Sequence, residues 1–274
     1  MSLMPLALLS SCEGGNQMEV FNYSNEFKSI SASQWDYLAN KRIFFGHQSV
    51  GYNIVQGMED ILRDNQQIKL TVIENAQQGQ TGQASFAHSR VGRNEDPESK
   101  MLDFALKMDE GVGKGSDIAF FKLCYIDINP STDIQKAFSL YKNTMDRLKT
   151  KYPDVTFVHV TTPLGVSAAN WKTMIKELLG KEIWAYETNI ARNRYNDLIR
   201  EEYKGKEPIF DLARIESTYP DGKRSSFTKS GETYYSLVPG YTYDYGHLNE
   251  TGRRIVAQEL LIFLANVAEV HTKQ

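Results

Sequence analysis

Arg42-Ile43-Phe44-Phe45-Gly46-His47-Gln48-Ser49-Val50-Gly51 opens on a short apolar run and closes on a turn between two glycines. A continuous apolar block ending in glycine is the pattern of a strand buried on both faces. Val50, Ile54, Met58, Ile61 and Leu62 then recur at helical spacing, so a helix follows almost at once. Strand, tight turn, helix is the opening unit of a parallel α/β sheet.

The rest of the chain repeats that alternation. Further strands are expected at Ile68–Ile73, Ile118–Cys124, Val155–Val160 and Pro208–Leu212. Helices are expected from Pro97 to about Met108, through Ile134, Ala137, Phe138, Tyr141, Met145 and Leu148, over 184–203, and from Asn249 to about Val267. In the first of these, Leu102, Ala105, Leu106 and Met108 are read as the apolar face, with Pro97 in the first turn. Residues 213–243 read as a long loop with a hairpin. Five apolar strands alternating with helices predict a three-layer α/β/α, doubly wound parallel sheet. Ligands in such folds bind beyond the carboxyl ends of the strands.

A length of 274 residues suits a single domain. The expected division is a partial lipoprotein signal at 1–11, a polar tether at 12–32 and the α/β domain at 33–274. Acidic and basic groups number 34 and 31, a net charge of −3, so the basic surface needed for nucleic acid is not expected. Leu6-Ala7-Leu8-Leu9-Ser10-Ser11-Cys12 resembles a bacterial lipobox, in which the cysteine is lipidated; the chain then begins partway through such a signal. The apolar stretch Leu3–Leu9 is too short to span a bilayer. The expected membrane contact is therefore a lipid anchor at Cys12. Cys124, inside an apolar run, reads as a buried thiol.

Two stretches carry candidate chemistry. Ser49 stands at a strand-to-helix turn, where helix N–H groups can stabilise an oxyanion; taken alone, it reads first as a helix N-cap. Asp244-Tyr245-Gly246-His247 has the spacing at which a carboxylate can accept the imidazole Nδ1–H and leave Nε2 free as a base, or it is a surface aspartate and a capping histidine. Lys122 interrupts an apolar strand, so it either meets a carboxylate or reaches the sheet's end. Asp127 caps the following loop or touches the site. His47 and His88 are read as structural or substrate-contacting, and His159 as a core histidine. Arg90 and Arg93 bind an anionic substrate or are solvated or paired. Tyr234, Tyr235, Tyr241, Tyr243 and Tyr245 precede His247 as a packed loop or as faces for sugar rings. No HExxH, paired-cysteine, Walker or GxGxxG pattern occurs, so neither metal nor cofactor is expected.

Asp244, His247, Leu248, Asn249 and Gly252, with Ser49 after the first strand, resemble the SGNH (GDSL-type) hydrolase superfamily, a divergent branch of it. The resemblance runs from about residue 40 onward. It implies an SGNH/flavodoxin-like fold and a triad of Ser49, His247 and Asp244. Gly46-His47-Gln48-Ser49 stands where the family has G-D-S. Ile126 occupies the place of the family's oxyanion-hole asparagine, which Asn129 could fill only if the loop is shifted. Gly79, Gly82 and Gly92 lie where its middle glycine falls, and Asn94 could replace the asparagine side chain. The resemblance implies a serine esterase or deacetylase acting on an O-acylated carbohydrate or similar small ester, in the cell envelope and facing periplasm or exterior. A non-catalytic carbohydrate- or envelope-ligand-binding domain and an acyltransferase on the same triad are the alternatives.

Overall fold

The computed structural model describes residues 22–74, 83–167 and 184–273. The lipobox-like segment with Cys12, the first part of the expected tether, Gly79 and Gly82 lie outside the described residues.

In chain order the helices are α1 (Asn25–Ser29), α2 (Ala32–Ala39), α3 (Ser49–Asp64), α4 (Pro97–Lys107), α5 (Gly113–Gly115), α6 (Ile134–Lys151), α7 (Trp184–Tyr203), α8 (Leu212–Glu216) and α9 (Glu250–Lys273). The central strands are β1 (Arg42–His47), β2 (Val72–Glu74), β3 (Ser85–Arg90), β4 (Ile118–Phe121), β5 (Thr156–Val160) and β6 (Ile209–Phe210), and β7 (Ser226–Lys229) and β8 (Glu232–Tyr235) form an antiparallel hairpin. The sheet runs β2-β3-β1-β4-β5-β6 and every pairing in it is parallel.

Successive side chains of a strand point to opposite faces, so β1 and β4 divide their aromatics between two cores. Phe45 and Phe120 pack with residues of α2, α3 and α9, whereas Phe44 and Phe121 pack with residues of α4, α6 and α7. The fold is a single α/β/α domain, as the alternation predicted. The helix after β1 covers one face and the helix after β3 covers the other. The carboxyl end of β1, between β3 and β4, is therefore the crevice where the winding reverses.

The sheet has six strands where five were expected. The extra strand, β3, is Ser-Phe-Ala-His-Ser-Arg, whose two apolar residues give too short a run to read as a strand. It is buried nonetheless, because it is paired on both sides and its polar half lies at the crevice. The tether expectation fails over 22–32. There α1 forms, Ser24 caps it, and Phe27 packs against Trp35 with ring centroids 5.3 Å apart. Ser24 N–H also donates to Gln258 Oε1 on α9 at 2.9 Å. The apolar face expected for α4 is rotated: Met101, Phe104 and Ala105 are buried, while Leu102 and Leu106 are more than half exposed.

Candidate active site

Ser49 is the first residue of α3, and Gln48, in extended backbone, is its N-cap. The Gln48 side chain makes no capping bond; its Nε2 donates to Val91 O at 2.9 Å and Gly92 O at 2.7 Å. It thereby joins the turn after β1 to the turn after β3. The serine hydroxyl is spared a capping role. Gly51 is required here, since a Cβ on it would lie 2.2 Å from His47 Cβ.

His47 is buried and bonded through both ring nitrogens, Nδ1 to Gln48 O and Nε2 to His88 Nδ1, each at 2.9 Å. Burial above all pushes its pKa down to about 3, and His88 and Lys122 nearby lower it further. A neutral His47 donates from Nδ1 and must accept at Nε2, which makes His88 Nδ1 a donor. The pair holds the Gln48 carbonyl in place and is built into the turn.

Ser49 Oγ lies 3.0 Å from His247 Nε2, and His247 Nδ1 lies 2.7 Å from Asp244 Oδ2. Asp244 Oδ1 accepts the N–H groups of Tyr245, Gly246 and His247, so the loop folds around its own carboxylate. Partial burial would raise the Asp244 carboxyl. Those N–H groups and the imidazole outweigh it and hold the carboxyl well below the usual range. An ionised Asp244 fixes the Nδ1–H tautomer and leaves Nε2 to accept the serine proton. Thr242 Oγ1 donates to His247 O at 2.6 Å, and Leu248 N–H donates to Asn53 Oδ1 on α3 at 3.2 Å. Asn249 Oδ1 accepts Gly252 N–H at 2.9 Å, closing the first turn of α9, while Leu248 is buried in the core.

Two tyrosines frame the imidazole. Tyr243 is two-thirds exposed with its ring parallel to that of His247, and Tyr125 meets His247 edge-on with centroids 5.6 Å apart. Tyr245 is packed: its hydroxyl is 3.1 Å from Thr188 Oγ1 and its backbone O accepts Val166 N–H. Tyr241 donates to Thr218 O, and Tyr234 and Tyr235 belong to the hairpin. The expected tyrosine cluster thus contributes one exposed face beside His247.

Gly92 does not fit an oxyanion donor. Its N–H donates to Asp103 Oδ2 at 2.8 Å, and its left-handed φ of +55° serves the turn into α4. Asn129 lies in the turn toward α6, where its Oδ1 accepts Ser131 N–H at 2.9 Å and Ser131 Oγ at 2.6 Å. Asp127 is fully buried and caps its loop from within, its Oδ2 accepting Cys124 N–H and its Oδ1 accepting Glu95 N–H. Its cation is Lys100 at 2.5 Å, also fully buried, whose ammonium reaches Asn94 Oδ1 at 3.0 Å. Lys122 is buried with its ammonium 3.3 Å from Leu123 O and 3.6 Å from Cys124 Sγ, and burial pushes its pKa down. Arg93 pairs with Asp96 at 2.8 Å in solvent, and Arg90 is exposed at the end of β3. His159 is a core histidine bonded to Tyr141 and Glu207.

Gln48, Asn53, Tyr125 and Lys100 escaped the sequence reading. Lys100 did leave a signal, a charged residue beside Met101 and one turn before Phe104. Among the described residues no group of three or more His, Cys, Asp or Glu side chains could hold a metal ion, and no helix is long and apolar enough to cross a membrane. A groove of about 1040 Å³ between residues 22–28, α8 and α9 contains none of Ser49, Asp244 or His247.

No protein-family model matches the chain, and no curated protein matches it in sequence. Solved structures do match. A Streptococcus pneumonia protein described provisionally as a platelet activating factor is 14% identical, with a TM-score of 0.50 over 87% of this chain and 92% of that one. The periplasmic domain of a lipopolysaccharide acetyltransferase from Salmonella ser. Paratyphi A is 12% identical, TM-score 0.45, over 84% and 96%. A Desulfitobacterium hafniense protein described provisionally as a G-D-S-L family lipolytic protein is 8% identical, TM-score 0.43, over 82% and 99%. At these identities the likeness is one of fold.

Proposed function

We propose that the protein is a serine ester hydrolase of the SGNH type. The observation that carries this reading is the relay from Ser49 through His247 to Asp244, with both links at hydrogen-bond length. Ser49 Oγ attacks the acyl carbon, its proton passes to His247 Nε2, and the carbonyl π pair moves onto oxygen. Collapse expels the alcohol, which takes the proton from His247. Water, deprotonated by the same nitrogen, then attacks the acyl-serine and releases the acid. Asp244 keeps the imidazole in its tautomer and stabilises the imidazolium.

The substrate in this reading is an O-acylated carbohydrate or a similar small ester. Tyr243 supports it, because an exposed ring beside the base offers a face to the C–H side of a sugar. Location belongs to the same proposal: the lipobox-like segment ending at Cys12 makes this a lipid-anchored protein of the cell envelope.

A fluorophosphonate probe tests the reading. Wild-type protein should be labelled at Ser49 and Ser49→Ala should not. No labelling of wild type beside a reactive control esterase would overturn the enzyme reading in favour of a binding domain. Labelling that survives Ser49→Ala would move the nucleophile elsewhere.

A further inference from the structure

Resting on the triad reading, the geometry points to Asn94 as the side-chain donor of the oxyanion hole, with the Ser49 N–H as its backbone partner and Lys100 holding its amide in orientation. A triad without oxyanion donors lacks its largest electrostatic term. Gly92 N–H is committed to Asp103 Oδ2.

The turn that carries Asn94 leads into the helix on the face of the sheet opposite the one from which His247 approaches. The base and the oxyanion donors must flank the serine on opposite sides, because the proton leaves toward one while charge grows toward the other. His247 approaches from the α3 and α9 face: Leu248 is buried in that core and bonded to Asn53. Asn94 sits in the turn from β3 into α4, which covers the other face. That turn lies beside the serine turn, since His47 and Arg90 are in register, Val91 N–H donates to His47 O, and Gln48 Nε2 grips Val91 O and Gly92 O.

The buried ion pair sets the amide's direction. An ammonium has only donors, so the Asn94 atom 3.0 Å from Lys100 Nζ is the oxygen. The amide NH₂ therefore points away from Lys100, outward from the buried pair. Lys100 is in turn fixed by Asp127, which also takes the Glu95 and Cys124 N–H groups and so joins the turns after β3 and β4 across the end of β1. Two donors then meet the developing alkoxide: Asn94 Nδ2–H, and the Ser49 N–H, which as the first residue of a 16-residue helix has no intrahelical acceptor.

Hydrolysis of 4-nitrophenyl acetate by wild type, Ser49→Ala, Asn94→Ala and Asn94→Asp tests the assignment. Asn94 is exposed on a loop, so both variants should keep the fold, which thermal unfolding checks. Asn94→Ala should lower kcat by about 10²–10³-fold with KM little changed. Asn94→Asp preserves an acceptor for Lys100 but removes the donor, and should fall at least as far. A merely structural role gives the reverse ranking, with Asn94→Asp near wild type and only Asn94→Ala impaired, and that result overturns the assignment. Full activity in both variants overturns it too, while leaving the triad intact. A wild type that neither turns over nor takes a fluorophosphonate at Ser49 removes the triad reading itself, and this assignment with it.

Discussion

Asn53 Oδ1 accepts the N–H of Leu248, tying the helix that begins at Ser49 to the loop that presents His247. The bond joins residues 195 positions apart and runs beside the 3.0 Å contact between Ser49 and His247. Asn53→Ala should lose about one hydrogen bond's worth of positioning, ~1 kcal/mol, and lower kcat several-fold to tenfold. Asn53→Asp keeps the acceptor and should stay close to wild type. Steady-state kinetics on both variants decide it; equal losses would show that the bond does not set the distance.

Asp244→Asn keeps an oxygen for the three loop N–H groups but turns a donor toward His247 Nδ1. The imidazole must then carry its proton on Nε2, facing Ser49, and cannot act as base. The expected loss in kcat is about 10⁴-fold, the size seen when the acid of a comparable triad is made an amide. Because the Asp244 carboxyl lies well below the usual carboxylate range, its protonation should not shape the acid limb of the wild-type pH profile. A kcat for Asp244→Asn within about tenfold of wild type would contradict this account.

Glu216 gives a pH dependence of stability. It is fully buried, and burial pushes its pKa up to about 8 from 4.5, against the Leu164 N–H and the charges of Lys122 and Arg192. Between those values the unfolded chain is ionised and the folded chain holds the proton. Folding then takes up a proton, and Glu216's contribution falls as pH rises from about 4.5 to 8. His47, with its pKa lowered, acts the opposite way below its ordinary value of 6.5. The difference between Glu216→Gln and wild type isolates the first effect: the stability advantage of the variant should grow from pH 5 to pH 8 in urea unfolding. A constant difference would show that Glu216 is ionised throughout.

Phe27 distinguishes a tether from a part of the domain. It is buried between Tyr23 and Trp35, with ring centroids 4.8 and 5.3 Å away. Phe27→Ala should destabilise by about 3 kcal/mol, the low end for a buried phenylalanine. A change near zero in denaturant unfolding would return residues 22–32 to the tether.

The sequence made some of this architecture legible and hid the rest for identifiable reasons. β1, β4 and β5 announce themselves because strands covered on both faces are apolar at successive positions. β3 does not, because His88 and Ser89 sit where the sheet meets the crevice. The face of α4 was misread because Leu102 and Leu106 spend their apolar surface on solvent, while Lys100 is buried by an ion pair that only the folded chain reveals. Asp244 and His247 were legible because three residues suffice to bring one onto the other. Asn53 and Gln48 were not, since their partners lie at residues 248 and 91–92 and nothing local marks them.

The relay between Ser49 and His247 spans 198 residues, nearly the whole domain. Synthesis proceeds from the amino end, so a growing chain carries its serine long before the histidine exists, and the two meet only when α9 docks against α3. On the proposed reading the nascent polypeptide is a latent hydrolase. Its reactivity arrives with the last helix, and turnover doubles as a readout that α9 has docked against α3.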